Sequence, residues 1–104
     1  MKTLIWFVVL MAAGANAWAG DAAAGREKAK ACAACHGENG ISAAADFPKL
    51  AGQHYDYLVR ALQDYKSGAR KNAIMAPQAA NLKRQDIADL AEYYSSQQAL
   101  VTKK

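Results

Sequence analysis

The chain has 104 residues, 53% of them hydrophobic, with 13 Lys and Arg residues against 9 Asp and Glu residues. This length suits one small domain and leaves no room for two. Of the 85 residues after position 19, 20 are Ala, whereas Leu, Ile, Val, Phe and Met together number only 13. A domain this small and this poor in bulky side chains usually depends on a disulfide, a metal or a cofactor. The composition therefore argues against an ordinary enzyme with a large protein core.

The first 19 residues have the features of a secretory signal peptide. Lys2 precedes an apolar run over residues 4–13, and small residues follow up to Ala19. Ala17 and Ala19 each end a small-x-small pattern, and we expect cleavage after Ala19. The run is shorter than the roughly 20 residues that a transmembrane helix needs. We therefore predict export to the periplasm. The alternative interpretations of this segment are a buried N-terminal helix and an uncleaved membrane anchor.

Residues 20–104 form the predicted mature domain, with 12 basic and 9 acidic residues and a formal charge of +3. The domain contains no long basic run and no Arg-rich patch with interleaved aromatic residues. Nucleic acid is therefore a poor candidate for a partner.

Helical signals dominate this domain, because Val, Ile and Thr total only six residues after position 19 and form no alternating run. Asp21 can cap a first helix over residues 22–35, which Gly37 follows. Gly25 lies inside this helix. It either allows another helix to approach closely or is a tolerated surface residue.

Two further helices are predicted over residues 53–67 and 84–98, joined to the rest by loops over residues 38–52 and 69–82. Both helices have apolar residues at the i, i+3, i+4, i+7 spacing of one buried face. These residues are Leu58, Ala61, Leu62 and Tyr65 in the second helix, and Ile87, Leu90, Ala91 and Tyr94 in the third. Gly68 ends the second helix. The sequence thus predicts an all-α domain.

Cys32, Cys35 and His36 form the C-x-x-C-H motif through which c-type haem is attached. Residues three apart lie on one face of a helix, so the two thiols can add to the two vinyl groups of one haem. The imidazole of His36 then falls under the porphyrin, where it can bind the iron. The motif uses both Cys residues of the chain.

Three other interpretations of the two Cys residues compete with haem attachment. A structural disulfide is common in exported proteins. A thioredoxin-like redox pair expects a βαβ setting, and no strands are predicted. A zinc site needs a second pair of ligands, which the sequence does not supply.

The candidates for the sixth iron ligand are Met75 and His54, the other Met and His residues of the mature domain. Met75 lies in a predicted loop next to Pro77, which stiffens the backbone, and a loop can wrap the far side of a haem. His54 starts the second helix, where a surface or capping role is expected. Ligation by Met and His is the cytochrome c pattern.

Beyond this motif, the chain resembles the class I cytochromes c. It is most similar to the small soluble bacterial ones and to one half of the two-haem periplasmic cytochromes c. The matching segments, in the family order, are residues 24–25 with 32–37, then 47–53, 72–77 and 86–94. The C-x-x-C-H motif alone identifies only the cofactor, whereas the later segments indicate the class I cytochromes c.

The resemblance implies a cytochrome c fold, with three main helices and two long loops wrapped around one covalently bound haem. Cys32 and Cys35 would form the thioethers. His36 would be the proximal iron ligand and Met75 the distal one.

The resemblance also implies several supporting roles. The Pro48 carbonyl would accept a hydrogen bond from His36 and so orient the ring. Leu50 would pack on the haem, and Gly25 would let the first helix cross the last near Tyr93.

One position departs from the family pattern. Lys83 stands where similar proteins usually have a Ser or Thr that caps the last helix, although Asp86 of the capping pair is present. Asn81 could cap instead; otherwise this helix start is weaker by about 1 kcal/mol.

We therefore expect a periplasmic, monomeric electron-transfer protein and not an enzyme. Its partners would be redox proteins such as a membrane quinol-oxidising complex and a terminal oxidase or reductase. The haem propionates would lie near Arg70, Lys71 and Asn72, by position alone. The alternatives are a haem sensor or enzyme subunit with an open or labile sixth iron position, and a haem-free thiol–disulfide carrier.

Overall fold

A computed structural model describes residues 19–97 of the chain, so the predicted signal peptide and the last seven residues lie outside the described part, apart from Ala19. Within residues 19–97 the secondary structure is helical, and no strand occurs. The helices are α1 (Ala22–Lys28), α2 (Ala33–His36), α3 (Tyr55–Ser67), α4 (Met75–Ala80) and α5 (Arg84–Ser95). The predicted all-α class is confirmed.

The first predicted helix is interrupted. Asp21 caps it as expected, since its carboxylate accepts hydrogen bonds from the backbone N–H groups of Ala23 and Ala24. A 3-10 turn over Ala29–Ala31 then separates α1 from α2. The expectation of one continuous helix over residues 22–35 is wrong. The whole segment is rich in good helix formers, so propensity gives no sign of the tighter turn, which coincides with the burial of Ala29 in the core.

Helices α1 and α5 cross with their backbones in close approach. A Cβ atom at Gly25 would lie 2.0 Å from the Asp89 carbonyl oxygen and 2.8 Å from Cβ of Tyr93. No residue other than Gly fits this contact. The predicted crossing near Tyr93 is therefore confirmed.

A buried carboxylate strengthens the same crossing. Asp89 is only 2% exposed. Lys28 Nζ lies 2.5 Å from its Oδ2 and 2.9 Å from Oδ1 of Asp86. The Asp21 N–H and Gln85 Nε2 both donate to Asp89 Oδ1, each at 2.8 Å. Burial pushes the pKa of Asp89 upward, but these donors outweigh it and hold the pKa below its usual value.

Helix α3 begins two residues later than predicted and ends where predicted. Leu58 is buried, as the apolar spacing requires. Gly68 follows the last turn with φ of 89°, the left-handed conformation that terminates helices without steric cost in Gly. Lys66 reaches across to donate to the Leu82 carbonyl, so the end of α3 is tied to the segment before α5.

Helix α4 lies inside the segment predicted to be a loop. Pro77 favours a loop in the sequence, but it is the third residue of α4, where backbone N–H groups have no partner within the helix. The Asn72 side-chain oxygen accepts hydrogen bonds from the N–H groups of Ile74 and Met75, both at 2.9 Å. This cap lets a helix form in spite of the proline.

Helix α5 ends at Ser95, three residues before the predicted end, and starts with half of a capping box. The Lys83 N–H donates to the Asp86 carboxylate at 2.8 Å. The Lys83 side chain has no acceptor atom to return the bond, because an ammonium group only donates. Asn81 does not cap this helix, since Lys83 holds the N-cap position.

The core is a small cluster centred on α5, and its buried members are Ala29, Leu58, Leu90, Ala91, Tyr93 and Tyr94. None of the helices in residues 19–97 is both long and apolar enough to cross a membrane. The core lies against one side of an open cleft, which α2, α3, α4 and the loop before α3 surround.

Candidate haem site

Two adjoining cavities, of about 140 and about 250 Å³, form one cleft. They share five lining residues, which are Cys32, His36, Pro48, Tyr65 and Met75. Leu50 lines the first cavity and Cys35 the second. The fold therefore brings together, around one largely apolar space, all six residues that the sequence analysis selected.

Helix α2 presents the two cysteines to the cleft. Cys32 immediately precedes the helix and Cys35 lies within its single turn. Both thiols are free and half-buried. Burial raises the pKa of the Cys32 thiol. No disulfide joins the two sulfur atoms, and both cysteines line the cleft.

His36 is the last residue of α2 and is 6% exposed. Its Nδ1 lies 2.9 Å from the Pro48 carbonyl oxygen, which is the hydrogen bond that the family resemblance implied. Because a carbonyl only accepts, Nδ1 must carry the proton, and Nε2 keeps a lone pair that can bind a metal. The Phe47 ring packs edge-on against the imidazole, with ring centres 6.4 Å apart. Hydrogen bond and ring contact together fix the orientation of the imidazole.

Met75 and His54 lie in different surroundings. Met75 is the first residue of α4, is half-buried and lines both cavities. The Asn72 cap fixes its backbone. His54 is exposed at the start of α3 and lines neither cavity. The structure thus places the methionine, and not the histidine, in the cleft with His36.

The three candidate propionate partners differ in their relation to the cleft. Arg70 lines the first cavity, where its guanidinium lies 4.8 Å from the centre of the Tyr65 ring and donates to the Tyr57 hydroxyl at 3.3 Å. Asn72 lines the second cavity, but its side-chain oxygen is already used to cap α4. Lys71 is exposed and lines neither cavity.

Tyr94 is a residue of the site that the sequence analysis assigned only to the core. It is 3% exposed and lines the first cavity. Its hydroxyl is a buried side-chain oxygen with no hydrogen-bond partner in the described part of the chain. Burial, with a contribution from the nearby Cys32 thiol, raises the pKa of Tyr94 above its usual value. The signal in the sequence is a tyrosine at a core position where a phenylalanine would fill the same space.

The cleft fits a haem c. It offers two thiols for thioether bonds, an imidazole nitrogen and a soft thioether sulfur for iron, and apolar walls for the macrocycle. The Tyr94 hydroxyl, a buried polar group without a hydrogen-bond partner among the described residues, belongs to the lining of this cleft. A bare metal ion fits less well, since residues 19–97 hold no group of three or more His, Cys, Asp or Glu side chains suited to one.

Comparison with known proteins agrees with this chemistry. The cytochrome c family matches residues 22–98. Cytochrome c4 of Pseudomonas aeruginosa is 51% identical over 83 residues, which are 80% of this chain and 41% of that protein. Cytochrome c-554(548) of Halomonas halodenitrificans is 48% identical over 83 residues, which are 77% of this chain and 100% of that protein.

Solved structures give the same result. Reduced cytochrome c4 from Pseudomonas stutzeri superposes with a TM-score of 0.76 at 46% identity, over 80% of this chain and 48% of that one. Thiosulfate dehydrogenase from Marichromatium purpuratum superposes with a TM-score of 0.72 at 37% identity, over 76% of this chain and 20% of that one.

The chain spans less than half the length of the cytochrome c4 proteins that it matches, so it corresponds to one half of these two-haem proteins. The family match covers nearly all of the described residues and includes the cysteine pair and the histidine that follows it. The predicted fold and cofactor are therefore confirmed, and the chain belongs to the cytochrome c family, with a covalently attached haem c that contains iron.

Proposed function

We propose that this protein is a one-electron carrier whose haem is held by Cys32 and Cys35 and ligated by His36 and Met75. The observation that carries the proposal is the meeting of Cys32, His36 and Met75 at the junction of the two cavities. Cys32 and His36 belong to one segment, whereas Met75 lies 39 positions beyond His36, so the fold brings two separate parts of the chain together at this place.

When bound, haem c supplies an iron that alternates between the ferrous and ferric states. The residues of the chain determine how this iron behaves. The Pro48 carbonyl accepts a hydrogen bond from His36 Nδ1–H. This bond fixes the orientation of the ring and raises the basicity of Nε2, the nitrogen that would bind the iron. The Met75 thioether would be a soft neutral iron ligand, which favours the ferrous state and raises the potential. With His36 and Met75 both bound to the iron, a substrate would have no coordination site.

The surface around the cleft supports transient contact with redox partners. Tyr57, at 49% exposure, lines one cavity, and Ile74, at 56% exposure, lines the other. Partial apolar exposure beside a redox centre suits the small interfaces of electron-transfer encounters. The proposed partners are a membrane quinol-oxidising complex on one side and a terminal oxidase or reductase on the other.

Periplasmic location is part of the proposal and rests on the leader. The charged start, the apolar run and the small residues before Gly20 are those of a secretory signal. N-terminal sequencing of the exported protein should give a chain that begins at Gly20. An intact Met1 on the exported protein would contradict cleavage and favour an anchor.

Replacement of Met75 tests the ligation. Met75→Ala should make the ferrous protein bind carbon monoxide, which the wild-type protein should not do, because the sixth position opens. The matched control is His54→Ala, which should leave carbon monoxide binding and the spectrum unchanged. Equal carbon monoxide binding by the wild type and Met75→Ala would remove Met75 from the iron.

A second candidate function is that of an enzyme-associated haem domain with a labile sixth ligand. The similarity to a thiosulfate dehydrogenase structure supports it. The discriminating assay adds thiosulfate to the purified oxidised protein, alone and with a thiosulfate dehydrogenase. Reduction only in the presence of the dehydrogenase is expected of an electron carrier. Reduction by thiosulfate alone would favour the enzyme-associated function over that of a carrier.

A further inference from the structure

The Tyr94 hydroxyl has an unusual environment for a buried polar group. Within residues 19–97 it is the one buried side-chain nitrogen or oxygen atom that lacks a hydrogen-bond partner. Leaving such a group unpaired costs about 1–3 kcal/mol. A phenylalanine would fill the same space without this cost, so the hydroxyl is best explained by a partner that belongs to the complete site.

Two contacts restrict the position of the Tyr94 ring. A Cβ atom at Gly40 would lie 2.7 Å from Cδ1 and 3.1 Å from Cε1 of the ring, so the backbone of the loop presses against it. On another side the ring meets Tyr93 edge-on, with ring centres 5.1 Å apart. These contacts hold the ring of a residue that lines the first cavity.

The Cys32 thiol is near this hydroxyl, because it contributes to raising the pKa of Tyr94. Cys32 packs against the core cluster that contains Tyr94 and lines the same cavity. As free groups, a thiol and a hydroxyl both carry a proton. Once Cys32 is a thioether its sulfur has no proton and acts only as an acceptor. Attachment of the haem thus removes the competing thiol donor and leaves only an acceptor near the Tyr94 hydroxyl.

We propose that the Tyr94 hydroxyl donates a hydrogen bond to the Cys32 thioether sulfur and thereby favours the reduced haem. This inference rests on the proposed attachment of haem at Cys32. The donated bond places the positive end of the O–H dipole beside a sulfur that is bonded to the macrocycle. Ferric haem carries one more positive charge than ferrous haem, so this dipole disfavours the ferric state. Tyr94 is a positioning residue, because it acts through the thioether and not on the iron.

Potentiometric titration of Tyr94→Phe tests the proposal. At a fixed ambient potential, the ratio of ferrous to ferric protein should fall by about threefold relative to the wild type, or about 30 mV at 59 mV per tenfold. The matched control is Tyr93→Phe. The Tyr93 hydroxyl donates to the Glu38 carbonyl at 3.1 Å and lines neither cavity of the cleft. Its removal should lower the melting temperature and leave the potential unchanged.

Two results would overturn the proposal. One is a Tyr94→Phe potential equal to that of the wild type, and the other is an equal shift in Tyr93→Phe. The haem content of each protein is measured first by its alkaline pyridine spectrum. Absence of two-thioether haem in the wild type would instead refute the attachment through Cys32, so the two failures are distinguishable.

A second measurement needs no variant for its main result. Proton magnetic resonance of the reduced wild-type protein should contain a slowly exchanging tyrosine hydroxyl signal with dipolar contacts to the Cys32 β-protons. Fast exchange of the Tyr94 hydroxyl proton with water would contradict the bond even if Tyr94→Phe fails to fold.

Discussion

The two sides of α5 differ in the groups that pack against them. On the side of α1, contact is direct: Gly25 lets the backbones touch, and Lys28 and the Asp21 N–H satisfy the buried Asp89. On the side of the cleft, α5 presents Tyr94 with an unpaired hydroxyl to an apolar space. The first region is finished by protein atoms alone, whereas the second needs a group that the chain does not contain.

This difference separates the residues that fold the domain from those that hold its cofactor. Most of the buried side chains within residues 19–97 lie near α5, and several of them are Ala, which contributes little apolar area. The α1–α5 crossing alone is a small source of stability. The haem therefore completes the core as well as the function.

The largest expected effect comes from loss of the haem. The variant Cys32→Ala/Cys35→Ala should lose its cooperative thermal transition and most of its stability, because α3 and α4 would face an empty apolar cleft. Circular dichroism during heating measures this loss, with the haem-loaded wild type as the control. A cooperative transition in the haem-free variant would mean that the part of the domain around the cleft also folds without its cofactor.

The next largest effect tests the contact between α1 and α5. Gly25→Val should destabilise the haem-loaded protein by about 3 kcal/mol or more, since a side chain would collide with the Asp89 carbonyl. The matched control is Gly68→Ala. A Cβ atom at Gly68 meets nothing within 4 Å. That variant should therefore cost only the left-handed backbone strain of about 1–2 kcal/mol. Equal losses in denaturant titrations would place no close helix contact at Gly25.

A smaller effect concerns charge and pH. Asp89→Asn should cost about 2 kcal/mol at pH 7, because Lys28 and the Asp21 N–H lose a charged acceptor. Burial raises the pKa of Asp89, but its hydrogen bonds more than compensate and hold the pKa below the ordinary value. The stabilisation is therefore present above the unfolded pKa of about 4 and is lost as the pH falls through the lower folded pKa.

The pH dependence of unfolding separates this carboxylate from others. Between pH 7 and pH 3 the melting temperature of the wild type should fall more steeply than that of Asp89→Asn. Asp86, whose pKa the Lys28 hydrogen bond lowers in the same way, accounts for part of the remaining slope in the variant. Parallel slopes for the two proteins would show that Asp89 does not titrate with unfolding.

The smallest effect is a gain. Lys83→Ser should stabilise α5 by about 1 kcal/mol. The serine oxygen can accept a hydrogen bond from the backbone N–H of Asp86, whereas the lysine ammonium cannot, and this bond would complete the capping box. Lys83→Ala, which also removes the charge but supplies no acceptor, is the control. If both variants gain equally in thermal unfolding, the effect is one of charge and not of capping.

Local signals in the sequence were enough to place α3 and α5 to within three residues and to select the cysteine pair and His36, whereas Pro48 and Leu50 were implied by the family resemblance. The apolar spacing of α3 and the terminating Gly68 are features of neighbouring residues, as is the C-x-x-C-H motif. Met75 could be selected because few soft ligands are present, and the structure places it in the cleft with His36.

Contacts between distant parts of the chain could not be predicted in the same way. Pro77 indicated a loop, because the sequence does not show that it lies in the first turn of a helix. The hydrogen bonds of the Asn72 side chain at the start of α4 became visible only in the structure. The Lys28–Asp89 pair joins residues 61 positions apart, which no local pattern reveals. The unpaired hydroxyl of Tyr94 became visible only when its surroundings were known.

The central claim is that the cleft holds a six-coordinate, covalently attached haem that carries single electrons. The most direct measurement is the absorption spectrum of the purified exported protein, oxidised and reduced, with and without carbon monoxide. We expect a low-spin c-type spectrum that carbon monoxide does not change. A reduced spectrum that shifts with carbon monoxide would contradict the six-coordinate site, and absence of haem absorption in cells able to attach haem would contradict the claim as a whole.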